Sequence, residues 1–256
     1  MSVLEPKLRE HLALYLRVYN LLGLAVEKSL ATKGPVTPSK KVATALLLRL
    51  ANDLRCSVLL AVRGYGAQAC SLCASIYEAA FTIAAIGPDD AMARKWIKHT
   101  DPTRQFLNSL EMAKLAMRKF GVSNADAAAG QYVQYQQFCF AKHLNPQYVQ
   151  SRAFTDRVGS MALSSGPDVS ENGERDASFA LEHGTGFGFL AIYSFVQNQT
   201  SSPISNDLVN ELKAIENELL SLKANAAKRW GIDNPFPDKW KIREPGKRSK
   251  RRSDSD

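Results

Sequence analysis

The sequence has few of the residues that cross-link small secreted domains or bind metals. Its 256 residues include four cysteines and four histidines. All four cysteines lie inside apolar segments of helical pattern, whereas bridging pairs in secreted scaffolds lie mostly in loops. This usage predicts no disulfide framework and a reducing, cytoplasmic location.

Metal and redox motifs are equally sparse. Cys70-Ser71-Leu72-Cys73 has the spacing of half a zinc site, but the sequence has neither a second Cys-x-x-Cys nor a His-x-x-x-His. No strand precedes the pair, as a redox motif would require. We therefore predict no metal and no cofactor, and we interpret Cys70 and Cys73 as small residues in a close helix contact.

Little in the sequence indicates a membrane. The first 22 residues place charges before their apolar stretch, which Arg17 and Asn20 then interrupt, unlike a signal peptide. Residues 67–86 are long and apolar enough to span a bilayer, but Glu78 lies near their middle and many of them are small. We predict a buried central helix there and no membrane partner.

Alternating apolar and polar runs, which are typical of strands, are also missing. Apolar residues recur at helical spacing almost throughout, which predicts an all-α, multi-helix bundle. The most apolar segments, about 37–63 and 67–86, are joined by Gly64-Tyr65-Gly66 and predict a buried central antiparallel helical pair. We expect one helical domain over residues 1–232, with a mobile loop at about 155–176.

The positive charge is concentrated at the C-terminus. The formal net charge is +8, and residues 239–256 contain eight basic and three acidic side chains. We predict that the Pro-containing segment 233–256 is a disordered basic tail that binds nucleic acid or another acidic partner. The nucleic-acid-binding residues of this prediction are Lys247, Arg248, Lys250, Arg251 and Arg252.

Residues 204–230 have the clearest amphipathic pattern in the chain. Leucine and isoleucine recur at spacings of four, three, four and three residues, at Leu208, Leu212, Ile215, Leu219 and Leu222. Such a stripe suits either a seam inside the bundle or a coiled-coil-like contact in a homodimer. The sequence leaves both interpretations open.

Glu78 is the most informative polar residue, because it is the only formal charge between Arg63 and Asp89. A carboxylate on an interior helix must find a cation or hydrogen-bond donors, or else stay protonated. His143, which shares a stripe with Tyr135 at the end of a later helix, is the expected partner. The cluster can be a polar clamp between helices or part of an active site.

Two segments, "LLAVRGYGAQACSLCASIYEAAFTIAAIG" and "YVQYQQFCFAKHLNP", carry a resemblance. Over about residues 40–150 the chain resembles a prokaryotic family of helical domains of unknown function, which is HEPN-like in style. The family usually has an arginine four residues before the glutamate, where this chain has Ala74. The matching positions are Gly66, Cys70, Glu78, Tyr135, Cys139 and His143.

The resembled family has no settled activity, and a separate pattern indicates a role on RNA. Arg94 and His99 match the Arg-x4-His spacing of HEPN-type ribonucleases. In those enzymes the arginine is thought to act at phosphate and the histidine in proton transfer. Residues five apart on one helix, however, point about 140° apart. One hypothesis is an RNA- or nucleotide-directed effector, a nuclease or defence-associated protein. The alternative is a non-enzymatic interaction protein that self-associates through 204–230 and uses its tail, so enzymatic activity stays open. The candidate catalytic residues are Glu78, Tyr135, His143, Arg94 and His99.

Overall fold

A computed structural model of the chain describes residues 4–31, 35–101, 105–122, 125–143, 166–199 and 206–230. These residues form eight α-helices and no strand, which confirms the all-α prediction. The proposed tail and residues 155–165 of the predicted loop lie outside the described residues. The helices are α1 (Arg9–Ala31), α2 (Pro38–Val62), α3 (Gly66–Ile86), α4 (Asp90–Ile97), α5 (Ser109–Lys119), α6 (Ala125–Lys142), α7 (Glu171–Gln199) and α8 (Asn206–Trp230).

The starts of α2 and α4 are set by short polar side chains. Thr37 accepts a hydrogen bond from the backbone N–H of Lys40 at 3.2 Å, and Pro38 occupies the first helical position. At α4 the Asp89 carboxylate accepts from the N–H of Met92 at 2.9 Å. Both caps satisfy backbone donors that a helix start leaves without partners.

The central antiparallel pair consists of α2 and α3, as predicted. The chain reverses between them at Gly64, whose φ of +85° lies in the left-handed region that glycine tolerates best. In α3, 15 of the 21 residues are buried. α2 is buried along one face only, because Leu48 and Leu59 are about half exposed. The apolar content of this segment therefore overstated the burial of α2, while α3 is buried as predicted.

The small residues of α3 also pack against α7, a contact that the sequence did not predict. A Cβ atom on Gly66 would lie 2.6 Å from the backbone nitrogen of Ala177. The Cys73 thiol donates to the backbone carbonyl of Ala180 at 3.3 Å. The two backbones thus approach closely without large side chains between them.

α7 begins at Glu171, inside the segment that we predicted as a mobile loop, so that prediction is wrong for its last six residues. Asp168 accepts from the backbone N–H of Ser170 at 2.9 Å, and the Ser170 hydroxyl accepts from the N–H of Gly173 at 3.4 Å. The backbone N–H of Asp168 in turn donates to the carbonyl of Gly64 at 2.8 Å. This turn caps the helix, although its Gly and Ser content resembles a loop.

α8 packs against α1 and α7, so its apolar stripe is a seam inside the bundle. The side chain of Arg17 on α1 pairs with Glu211 at 2.9 Å and with Glu218. These contacts account for the stripe within one chain, and self-association through it stays a prediction. The buried residues of α8 are Leu212, Ile215 and Leu222.

Only α3, within the described part of the chain, is long and apolar enough to cross a membrane. Its most apolar 18-residue window has a mean hydropathy of 1.6. Of that window, 78% is buried against the other helices. The fold thus packs this segment as the central helix that the sequence predicted.

Candidate functional site

Glu78 lies at the centre of a polar cluster between α3, α6 and the residues that lead into α5. Its Oε1 accepts a hydrogen bond from Tyr135 Oη at 2.7 Å and one from Gln105 Nε2 at 3.0 Å. The ammonium of Lys142 lies 3.4 Å from the same oxygen. The carboxylate therefore has both a cation and hydrogen-bond donors, as its surroundings required.

The hydrogen bonds around Gln105 orient the cluster. Ser109 Oγ donates to the amide oxygen of Gln105 at 3.1 Å, so the amide nitrogen is directed toward Glu78 and also donates to Tyr135 Oη at 3.0 Å. Burial raises the pKa of Tyr135, which keeps its hydroxyl protonated. The tyrosine can then accept from Gln105 while it donates to Glu78.

His143 does not join this cluster, contrary to our expectation. Its side chain is exposed one residue beyond the end of α6, and the cation beside Glu78 is Lys142. The helical repeat explains the difference: at about 100° per residue, Lys142 lies about 20° around the axis from Tyr135, whereas His143 lies about 80° away. His143 therefore points away from the face of α6 on which Tyr135 contacts α3.

The apolar residues around Glu78 in the sequence predicted that it would be buried. Its side chain is 28% exposed, so it is less buried than predicted. All three of its donors reach Oε1, and no donor among the described residues reaches Oε2. The side chain lines an open pocket, so Oε2 has no donor of the described residues that would compete with a bound molecule.

The Glu78 pocket is an open cavity of about 260 Å³ between α2, α3, α4 and residues 105–112. Aromatic, cationic and carboxylate side chains share its walls, a mixture that suits a polar ligand with a planar part. The lining residues are Leu46, Arg49, Ser75, Glu78, Ala79, Thr82, Trp96, Gln105, Phe106, Leu107 and Met112.

Arg49 supplies the cation of the pocket, and the sequence analysis missed it. Its Nε donates to Asp53 at 3.0 Å, and its Nη2 lies 3.4 Å from the Ser75 hydroxyl, which itself donates to Asp53 at 2.7 Å. The guanidinium is thereby oriented on a side chain that remains 65% exposed. The sequence signal was the i, i+4 spacing of Arg49 and Asp53 on one helix.

Arg94 and His99 do not lie on one helix. α4 ends at Ile97, so His99 lies beyond the helix, and the 140° separation expected for one continuous helix does not apply. Arg94 is exposed and lies about 200° around α4 from Trp96, which lines the pocket. The ring of His99 contacts Phe106 edge-on, with 6.0 Å between ring centres. His99 therefore lies beside the aromatic wall of the pocket, and Arg94 does not.

Neither Cys73 nor any acidic or histidine cluster in the described ranges offers a metal site. Within those ranges, no group of three or more His, Cys, Asp and Glu side chains is arranged to hold a metal ion. Burial raises the pKa of Cys73 to about 12, so this thiol stays protonated in the core. Residues 247–252 of the tail lie outside the described residues, and their contact with nucleic acid stays a prediction.

Comparisons with family models, with curated proteins and with solved structures find no match for this chain. The likeness to HEPN-like helical domains therefore stays a prediction based on the two sequence segments.

Proposed function

We propose that this protein binds and cleaves RNA at the Glu78 pocket. The observation that carries the proposal is the Glu78 carboxylate, which lines the pocket and is held through one oxygen while no donor of the described residues reaches the other. The same pocket presents the Arg49 guanidinium and the Trp96 ring. A carboxylate can act as general base, a guanidinium can bind phosphate, and an indole can stack on a nucleobase.

The proposed reaction is a transesterification within one RNA strand. Glu78 removes the proton from a ribose 2′-hydroxyl, and the 2′-oxygen attacks the neighbouring phosphorus. The bond from phosphorus to the 5′-oxygen breaks, and that oxygen takes a proton from His99. Arg49 stabilises the negative charge on the phosphate oxygens. The products are a 2′,3′-cyclic phosphate and a 5′-hydroxyl end.

Two features of the sequence favour RNA over other phosphodiesters. The likeness to HEPN-like domains covers residues 40–150, which include the pocket. The basic residues 247–252 would add affinity for nucleic acid that depends on salt and not on sequence. The body of the chain would then supply the chemistry and the tail would retain the substrate.

The proposal is tested by incubating the full chain with mixed RNA and with the variant Glu78→Gln. Glutamine keeps an oxygen for Tyr135 and Gln105 but is not a base, so we expect cleavage to fall by about 100-fold or more. Glu111→Gln is the matched control, because Glu111 is an exposed carboxylate on α5 outside the pocket. Cleavage should be unchanged in that control and also in His143→Ala.

Cleavage that persists in Glu78→Gln would exclude this carboxylate as the base. Saturable RNA binding without cleavage by the wild-type chain would instead support the non-enzymatic alternative. Loss of cleavage in His143→Ala would show that the exposed histidine acts in place of His99. Analysis of the product ends distinguishes the proposed cyclic phosphate from a simple hydrolysis product.

The contacts of α8 within the chain favour a monomer over the alternative of self-association through 204–230. Three of the five residues of the stripe are buried, Leu208 and Leu219 are partly buried against the core, and Leu220 is the one large hydrophobic side chain of α8 that is exposed. We therefore expect a monomer in sedimentation experiments over a wide concentration range. A dimer that dissociates in Leu220→Ser would restore the alternative.

A further inference from the structure

A second pocket lies between the residues at the start of α1 and those at the end of α8. Its volume is about 470 Å³, and it shares no lining residue with the Glu78 pocket. We call it the α1–α8 pocket and define it by Lys7, Arg9, His11, Arg229 and Trp230, which line it. Nothing in the proposed RNA chemistry uses these residues.

Three cations line this pocket, together with one carboxylate, Glu10, and one amide, Asn225. Lys7 and Arg229 both pair with Glu174, at 2.9 Å and 2.6 Å, and this carboxylate is only 2% exposed. Arg229 also lies 4.8 Å from the centre of the Trp230 ring. Glu174 and Trp230 therefore fix the two cations in place, and the exposed Arg9 adds a third positive charge.

Two enclosed polar atoms of the lining have no hydrogen-bond partner: His11 Nε2 and Trp230 Nε1. An indole N–H can only donate, so Trp230 needs an acceptor. Burial, together with the positive charge of Arg229, lowers the pKa of His11 against the opposing effect of Glu10. Buried polar atoms are rarely left without partners, and their position in one pocket points to an acceptor that enters it.

We propose that the α1–α8 pocket binds a phosphomonoester, with the phosphate on Lys7, Arg9, Arg229 and the Trp230 N–H. A phosphate offers three terminal oxygens that only accept hydrogen bonds at full charge, which matches three cations and one donor better than a carboxylate does. The oxyanion fills a small part of about 470 Å³. Glu10, Leu222, Asn225 and Ala226 line the rest of the pocket, so the ligand is a phosphate that carries a small polar organic group.

The proposal is tested by calorimetric titration of the full chain with ribose 5-phosphate, inorganic phosphate and ribose. We expect saturable binding of ribose 5-phosphate, weaker binding of inorganic phosphate and no binding of ribose. A 5′-phosphorylated tetraribonucleotide, compared with its unphosphorylated form, shows whether an RNA end is accepted as well as a sugar phosphate. Equal binding of both tetranucleotides would overturn the assignment to a phosphomonoester.

Trp230→Phe is the sharpest variant, because it keeps an aromatic ring for Arg229 and removes only the N–H. We expect it to weaken binding of ribose 5-phosphate about tenfold, as the loss of one hydrogen bond to a charged group does. Arg9→Gln should weaken binding to a similar degree. Arg118→Gln, which removes an exposed arginine from α5, is the control and should bind like the wild type.

The two pockets are distinguished by Arg49→Gln, which alters the Glu78 pocket alone. Unchanged binding of ribose 5-phosphate in this variant supports the assignment, and a loss comparable to that of Arg9→Gln would overturn it. The proposal is also overturned if no phosphorylated probe binds, or if Trp230→Phe and Arg9→Gln, with the wild-type melting temperature, bind like the wild type. RNA cleavage by the wild type is independent of all these outcomes.

Discussion

The two sides of α3 are built from opposite chemistry. Gly66 and Cys73 face α7, where backbone lies close to backbone. Ser75, Glu78 and Thr82 lie about 120° to 180° further around the helix and line an open polar pocket. The difference shows how one helix can be fixed by close packing on one side while it presents a carboxylate on the other, as a preorganised site requires.

The largest expected effect on stability comes from a substitution on the side of α3 that packs closely against α7. Gly66→Ala places a Cβ atom 2.6 Å from the backbone nitrogen of Ala177, and a backbone atom cannot move aside as a side chain can. We expect the free energy of unfolding, measured with urea, to fall by about 2 to 4 kcal/mol. Gly130→Ala is the matched control, since nothing lies within 4 Å of its added Cβ. It should gain about 0.5 to 1 kcal/mol because alanine favours the helix; equal stability of the two variants would contradict the close approach.

The next largest effect on stability concerns Glu174, which lies near the start of α7 and forms ion pairs with Lys7 and Arg229. Burial acts to raise the pKa of Glu174, but the ion pairs with Lys7 and Arg229 outweigh it and hold the pKa below its ordinary value. The unfolded chain therefore binds a proton more readily than the folded chain does. The resulting stability is complete above the ordinary glutamate pKa of about 4.3 and is lost as the pH falls through the folded value.

This pH dependence is measured by comparing unfolding free energies of the wild type and Glu174→Gln at pH 7, 5 and 3. We expect the variant to be about 1 to 3 kcal/mol less stable at pH 7, and the difference to shrink at pH 3. A difference that stays constant with pH would show that Glu174 acts by shape and not by charge. Glu216→Gln, which removes an exposed carboxylate from the middle of α8, is the control and should have a much smaller effect on stability.

A smaller effect distinguishes two tyrosines whose rings lie 5.0 Å apart. Tyr135 donates a hydrogen bond to Glu78, whereas the enclosed hydroxyl of Tyr77 has no partner. We expect Tyr135→Phe to cost about 1 kcal/mol in urea denaturation, and Tyr77→Phe to be neutral or to stabilise the fold by up to about 1 kcal/mol. The same sign for both variants would contradict the difference between the polar cluster and the apolar core.

The periodicity of the sequence was enough to predict the helices and the central pair, because apolar burial dominates both. It did not predict the start of α7, since the capping turn at Asp168 is held by the carbonyl of Gly64, about a hundred residues earlier. It also identified Glu78 and Tyr135 but not Gln105, whose place in the cluster depends on how α5 packs. Contacts between distant segments leave no local pattern to read.

The smallest expected effect on stability concerns which of two adjacent residues, Lys142 or His143, lies beside Glu78. The rotation of α6 about its axis determines which one it is. Lys142 is 37% exposed and its ion pair with Glu78 is 3.4 Å long, so Lys142→Gln should cost only a few tenths of a kcal/mol. The loss should shrink in high salt, which screens exposed pairs. His143→Gln, one position further along, should have no effect on stability at any salt concentration. A larger, salt-sensitive loss in His143→Gln than in Lys142→Gln would mean that α6 is rotated by about one residue relative to α3, and that the histidine faces the carboxylate after all.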